Sequence, residues 1–212
     1  MSKKNGNKRE ILLHSARKLF AENGYENTSV RQIVDSANTS MGNLYFHFPN
    51  KLSILKVICK DYVNVLRNQI NDISKLSFRP EVGFALDFRI GYITTLEYPK
   101  TSQFFAAAQN IPEIHEYSLQ NKRLRLKTFF EDKISPLEID YLAIAIQGIA
   151  DGIFDQKRQG KLKEESSVLS NTIIDYSLRL IGYPRNDIKR TIIEVDKYIE
   201  QQRITVDKYF NS

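Results

Sequence analysis

The chain of 212 residues has little of what punctuates or cross-links a fold: one cysteine, six prolines, nine glycines and no tryptophan. A single thiol, Cys59, excludes an intramolecular disulfide framework and any cysteine-based zinc cluster. A lone free thiol on an apolar stretch fits a reducing compartment. So few glycines and prolines leave little material for the tight turns of an all-β fold, and they favour long helices. Long apolar runs are missing as well. The run after the basic N-terminus, Ile11–Leu13, stops at His14, and Leu142–Ile146 is as long as such runs become. Neither a signal peptide nor a membrane span is expected, and a cytoplasmic protein with no membrane partner is.

What is present is charge, unevenly placed. The first sixty residues hold ten Lys and Arg against four Asp and Glu, whereas residues 61–212 hold 21 of each sign. The whole formal excess of +6 therefore sits in the N-terminal quarter. That asymmetry points to a module that meets a polyanion, joined to a body with another task.

Apolar spacing predicts a helix over 8–23, with Ile11, Leu12, Ala16, Leu19 and Phe20 on one face and Asn23-Gly24 ending it. Ser29-x-x-Gln32 is a capping-box pattern opening a short helix through Ala37. Asn38-Thr39-Ser40 then makes a tight turn, with Asn38 suited to a left-handed position. Ser40 caps a third helix, Met41–Phe46. Pro49 stops it, and a long fourth helix runs from Lys51 to about Ile73. Further breaks fall at Phe78–Pro80, Tyr98–Pro99, Asn110–Pro112, Ser135–Pro136, Gly160–Lys163 and Gly182–Pro184. Residues 137–156 are apolar nearly all round and must be covered on most sides. Residues 186–210 form a strongly amphipathic terminal helix, with Ile188, Ile192, Val195, Ile199, Val206 and Tyr209 at steps of three and four.

Two short helices joined by a tight turn, the second polar at its start and aromatic at its end, describe a helix-turn-helix. Ser40, Met41 and Asn43 stand at the exposed start of its second helix, where side chains reach base edges in a major groove. Tyr45 and His47 offer donors for phosphate. Lys51 lies in the first turn of the next helix, where free N–H groups and the helix dipole favour an anion. Arg31, with Ser29 beside it at the start of the preceding helix, completes the candidate DNA-binding set.

Residues 24–52 closely resemble the N-terminal signature of the TetR family of bacterial transcriptional regulators. The likeness is carried by Gly24-Tyr25, Thr28-Ser29-Val30-Arg31, Ile33, Ala37, Ser40, Gly42, Leu44-Tyr45, Phe48-Pro49 and Lys51. It departs at Asn38 and Thr39, where the family commonly has Gly and Val. The resemblance implies an all-α protein with a three-helix DNA-binding domain, here residues 1–52. A helical effector-binding and dimerisation domain, residues 53–212, would follow, with 185–210 lying beyond the usual core. It further implies a homodimer held by helices at about 137–158 and 166–182, which binds a palindromic double-stranded DNA operator as a repressor and is released by a small-molecule effector. Gly148 and Gly152 on the first of those helices permit close approach.

In the body, Phe84, Phe88, Tyr92, Phe104, Phe105, Tyr117, Phe129 and Phe130 form an aromatic-rich set over three predicted helices. Core packing accounts for any one of them; together with Gln147 and Asp151, polar on a nearly apolar helix, they are candidates to line an effector cavity. Lipophilic cations, acyl groups and aromatic metabolites all remain open as its occupant. No set of acid, base, nucleophile or metal-ligand groups argues for an enzyme, a metal or a cofactor. The competing reading is a DNA-binding regulator controlled by a protein partner through the 186–210 helix.

Overall fold

In a computed structural model of the chain, residues 2–74 and 79–202 are described, and they contain helices and no strand. The order is α1 (Ser2–Asn23), α2 (Val30–Ser36), α3 (Met41–His47), α4 (Lys51–Ser74), α5 (Pro80–Glu97), α6 (Pro99–Gln109), α7 (Pro112–Phe130), α8 (Pro136–Arg158), α9 (Ser166–Leu180) and α10 (Arg185–Gln202). Each expected break falls between two of these helices. Proline stands in the first turn of α6, α7 and α8, where its missing N–H costs nothing. Ser29 and Ser135 close capping boxes with Gln32 and Glu138. α1 starts earlier than residue 8, because its first turns carry no apolar period for sequence reading to detect. Val206 and Tyr209 of the expected terminal helix lie outside the described residues.

Two hydrophobic cores organise the molecule. The N-terminal core gathers Leu12, Ala16 and Phe20 of α1, Ile33 and Val34 of α2, and Leu44 and Phe48 at the end of α3. It also takes Ile54, Leu55, Ile58 and Cys59 from α4, and Phe104, Ala108 and Ile114 from α6 and α7. The N-terminal helical module is thus packed directly onto the body. The second core joins α5, α7, α8, α9 and α10 around Phe84, Leu86, Phe130, Ile146, Ile173 and Leu178.

α10 belongs to this body. Ile188 and Val195 are buried in the second core, and Ile192 and Ile199 pack against it. Arg89 of α5 is buried and holds three helices together. Its guanidinium donates to the Ser167 carbonyl and to Ser170 Oγ on α9, and pairs with Asp196 on α10 at 2.8 Å. Asn171 adds a second bond to Asp196. Both terminal nitrogens of this buried guanidinium are engaged, which offsets much of the cost of burying its charge, while its Nε is buried without a partner.

α8 is apolar all round, as expected, yet one side of it is uncovered in the single chain. Leu137, Tyr141 and Ile144 are 65%, 65% and 53% exposed, and Val168, Tyr176 and Leu180 of α9 are each 48% exposed. On α8 that stripe continues through Gly148 and Gly152, where an added Cβ would meet nothing within 4 Å.

Candidate nucleic-acid interface and buried cavity

The turn between α2 and α3 is made by Asn38 at φ +45°, a left-handed position where a short amide side chain is tolerated in place of glycine. The hydroxyl of Thr39 has a specific use: Asn43 Nδ2 donates to it at 2.7 Å across the first turn of α3. Ser40 Oγ accepts from the Asn43 backbone N–H at 3.2 Å and caps the same turn. Asn43 is therefore positioned by the turn before it, with its amide oxygen left for other contacts.

On the outer side of α3, Met41, Tyr45 and Phe46 are 40%, 52% and 72% exposed. A Cβ at Gly42 would meet nothing within 4 Å, so this side of the helix is low and open. Arg31 is exposed in the first turn of α2. Ser29 is exposed too, with its hydroxyl bonded to Gln32. These residues make one outward face. Phe46, the most exposed large apolar side chain of the set, was not singled out by sequence reasoning. Its signal was present: Leu44 and Phe48 point inward, and a residue two positions from each on a helix must point away.

Two expected phosphate contacts are placed differently. Lys51 does not direct its ammonium outward. Its Nζ donates to the carbonyl oxygens of Tyr25 (2.8 Å), Thr28 (3.0 Å) and Glu26 (3.4 Å), and lies 4.2 Å from the centre of the Tyr25 ring. An ammonium has three N–H donors, and here they close the loop between α1 and α2 onto the start of α4. His47 is turned edge-on to Phe46, with ring centres 4.9 Å apart, and its Nε2 is buried without a partner.

A cavity of about 520 Å³ opens among α4, α5, α6, α7 and α8. Of the residues expected to line it, Phe88, Tyr92, Phe105, Tyr117, Gln147 and Asp151 do so. Phe84, Phe104 and Phe129 do not. Phe84 is fully buried against Phe88 and Phe130, with ring centres 4.3 and 5.2 Å away. Phe104 belongs to the N-terminal core. Phe129 lies over Gly83, so close that a Cβ there would stand 2.6 Å from its ring.

The polar wall of the cavity is a connected chain. Gln147 Nε2 donates to both oxygens of Asp151, at 2.8 and 2.7 Å. Gln147 Oε1 accepts from Ser118 Oγ at 3.0 Å and from Lys122 Nζ at 2.5 Å. Arg125 pairs with Asp87 at 2.8 Å. Burial pushes the Lys122 ammonium down to about 8, against the pull of the Asp151 charge. Burial also pushes the Cys59 thiol on the α4 wall up to about 12, which leaves it protonated and inert. Sequence reasoning missed Lys122. The readable sign was a mixed-polarity stripe along α7, in which Ile114, Ser118, Asn121, Lys122 and Arg125 recur at helical spacing and all face inward. Among the described residues, no group of three or more His, Cys, Asp or Glu side chains is arranged to hold a metal. None of the described helices is long and apolar enough to cross a membrane.

The α2–turn–α3 unit has the form of a helix-turn-helix and is carried on an all-helical body with a cavity. Residues 12–58 match the family described as bacterial regulatory proteins, tetR family. Over 118 residues the chain is 25% identical to the HTH-type transcriptional regulator YuxN of Bacillus subtilis, a match covering 56% of this chain and 40% of that protein. It is 27% identical over 155 residues to the HTH-type transcriptional repressor KstR2 of Rhodococcus jostii, covering 72% of this chain and 70% of the relative. Among solved structures, RolR in complex with resorcinol superimposes with a TM-score of 0.67 at 20% identity, over 91% of this chain and 96% of RolR. That last likeness is one of fold.

Proposed function

We propose that the chain is a homodimeric transcriptional repressor that binds a palindromic DNA operator through α3 and is released when a small effector fills the cavity. The observation that carries this reading is the outward face of α2 and α3, built by the segment that matches the TetR family and bearing Arg31, Ser40, Met41, Asn43, Tyr45 and Phe46. Arg31 and Tyr45 suit phosphate oxygens, while Met41 and Asn43 stand where base edges would come. Lys51 and His47 support that face from behind.

The dimer reading rests on the uncovered apolar stripes of α8 and α9. A second copy of the chain matches them under two-fold symmetry, since one patch then meets itself, and the two helix pairs become a four-helix bundle. Two recognition helices enter successive major grooves only if they stand about 34–36 Å apart, or a multiple of that. An effector acts by favouring a state of the dimer in which that spacing is lost. Control by a small molecule is favoured over control by a protein through α10, because the apolar side of α10 is engaged with the body. KstR2 is named a repressor and RolR was solved with resorcinol, both consistent with such a protein.

Selection from random duplex DNA with the full chain tests the reading. An inverted repeat with a fixed half-site spacing is the expected product. Enrichment of single, unpaired half-sites, or of nothing, would reject it.

A further inference from the structure

The cavity, read as the effector site, carries information about which molecule fills it. Its acidic groups already have partners on the protein. Asp87 is paired with Arg125 at 2.8 Å. Both oxygens of Asp151 are held by Gln147. Asp155 takes Arg158 at 3.1 Å and Gln159 at 2.6 Å. Asp87 and Asp155 are thus matched by cations, and the charge of Asp151, held by an amide, acts on Lys122.

Lys122 is in the opposite position. Its ammonium carries three N–H donors, and among the described residues it has one acceptor, the amide oxygen of Gln147, and no ion pair. That oxygen is shared with Ser118. A charged group held in a cavity with donors unused is costly, and an acceptor of opposite charge relieves the cost most. Elsewhere on the wall, the hydroxyl of Tyr92, a residue only 6% exposed, has no hydrogen-bond partner, and neither does the buried Oε1 of Gln109. An amide oxygen only accepts, so Gln109 requires a donor. The remaining walls are rings. Phe88, Tyr92 and Phe154 follow one another at 5.4 and 5.6 Å between centres, and Phe105 closes another side.

We propose that the cavity binds a hydroxylated aromatic carboxylic acid. The carboxylate accepts from Lys122 Nζ, the ring packs against Phe88, Tyr92, Phe105 and Phe154, and a hydroxyl donates to Gln109 Oε1. At about 520 Å³ the space lies within the range of small-molecule sites, roughly 300–1,000 Å³. Asp151 is the charge that acts on Lys122, and the other titratable groups lining the cavity are Asp155 and Arg158 on α8, Asp87 and Tyr92 on α5, His115, Tyr117 and Arg125 on α7, and Cys59 and Tyr62 on α4. Carboxylate affinity therefore declines as pH rises through the range in which Lys122 loses its proton.

The test uses the full chain and three probes of one shape: a hydroxynaphthoate, the matching hydroxynaphthamide and the matching aminomethyl naphthol. Calorimetry is expected to rank the carboxylate above the amide by about ten- to a hundredfold, with the ammonium compound not binding. Lys122→Met is expected to bring carboxylate and amide level. Should that variant fail to fold, the ranking and pH dependence of the wild-type protein still decide. An amide or ammonium compound that binds as well as the carboxylate, or no binding by any of the three, would overturn the proposal. DNA binding measured on the same unliganded samples separates the two claims. Specific DNA binding with indifference to the carboxylate rejects this proposal alone, and carboxylate binding without specific DNA binding rejects the repressor reading alone.

Discussion

Phe104 and Phe105, consecutive residues of α6, set their rings 5.1 Å apart at 89° and serve two different interiors. Phe104 is buried in the core of the helix-turn-helix module, and Phe105 forms part of the cavity wall. A ligand that displaces Phe105 acts on a helix whose preceding side chain is buried in the core shared by α1, α2, α3 and α4. That is a physical connection from cavity to recognition helix through one short, doubly packed element.

Phe104→Leu is therefore expected to preserve folding and ligand binding while weakening the link between them. Effector-linked changes in DNA affinity are typically about 1–3 kcal/mol, and this substitution should remove roughly 0.5–2 kcal/mol of that. Operator titrations with and without effector measure it. An unchanged ratio would place the coupling elsewhere.

The position of Lys51 makes a prediction about salt. With its ammonium bonded to the carbonyls of Tyr25, Glu26 and Thr28, Lys51→Met should destabilise the protein by about 1.5–3 kcal/mol and weaken DNA binding to every sequence alike. The dependence of affinity on salt should keep the wild-type slope, because no phosphate contact is lost. A slope lower by about one would make Lys51 a phosphate ligand instead.

Lys122 predicts an unusual dependence of stability on pH. Its folded value, about 8, is below its ordinary 10.5, so between these limits the unfolded chain binds more protons and rising pH favours the folded state at this group. The cost of the buried ammonium is fully present below pH 8 and fades as pH approaches 10.5. Lys122→Met is thus expected to be more stable than wild type by about 1–3 kcal/mol at neutral pH, with the gap closing in alkaline buffer. Urea denaturation at both ends of that window checks it, and a gap that widens with pH would contradict it.

Tyr141 and Ile144 stand at the centre of the exposed stripe on α8. Tyr141→Glu places a charge where two copies would meet, and two such charges would face each other across the symmetry axis. Sedimentation should report the mass of one chain and a steep loss of operator affinity. A variant that keeps the mass of two chains would move the dimer interface off this face.

Much of the architecture was legible because the chain announces its breaks. Prolines at 80, 99, 112 and 136 and the Ser29 and Ser135 caps are local signals, and the helices obey them. The left-handed turn at Asn38 was readable for the same reason. The site was legible only in part, since its decisive contacts are not local. Nothing near Lys51 in sequence indicates that its ammonium will reach carbonyls 23 to 26 residues earlier. Phe84 and Phe88 share one helical stripe, yet the cavity begins only at Phe88, because Phe130 fills the space beside Phe84. The division of labour between Phe104 and Phe105 follows from the seating of α6 between two cores, which adjacent identical residues cannot encode.

The central claim is tested most directly by a salt series of binding to a selected inverted-repeat duplex, with excess competitor DNA and the mass of the complex recorded. The account predicts a complex holding paired chains that resists competitor and declines with salt along a constant slope. Binding by single chains, or binding that ignores sequence and collapses as salt rises, would contradict it.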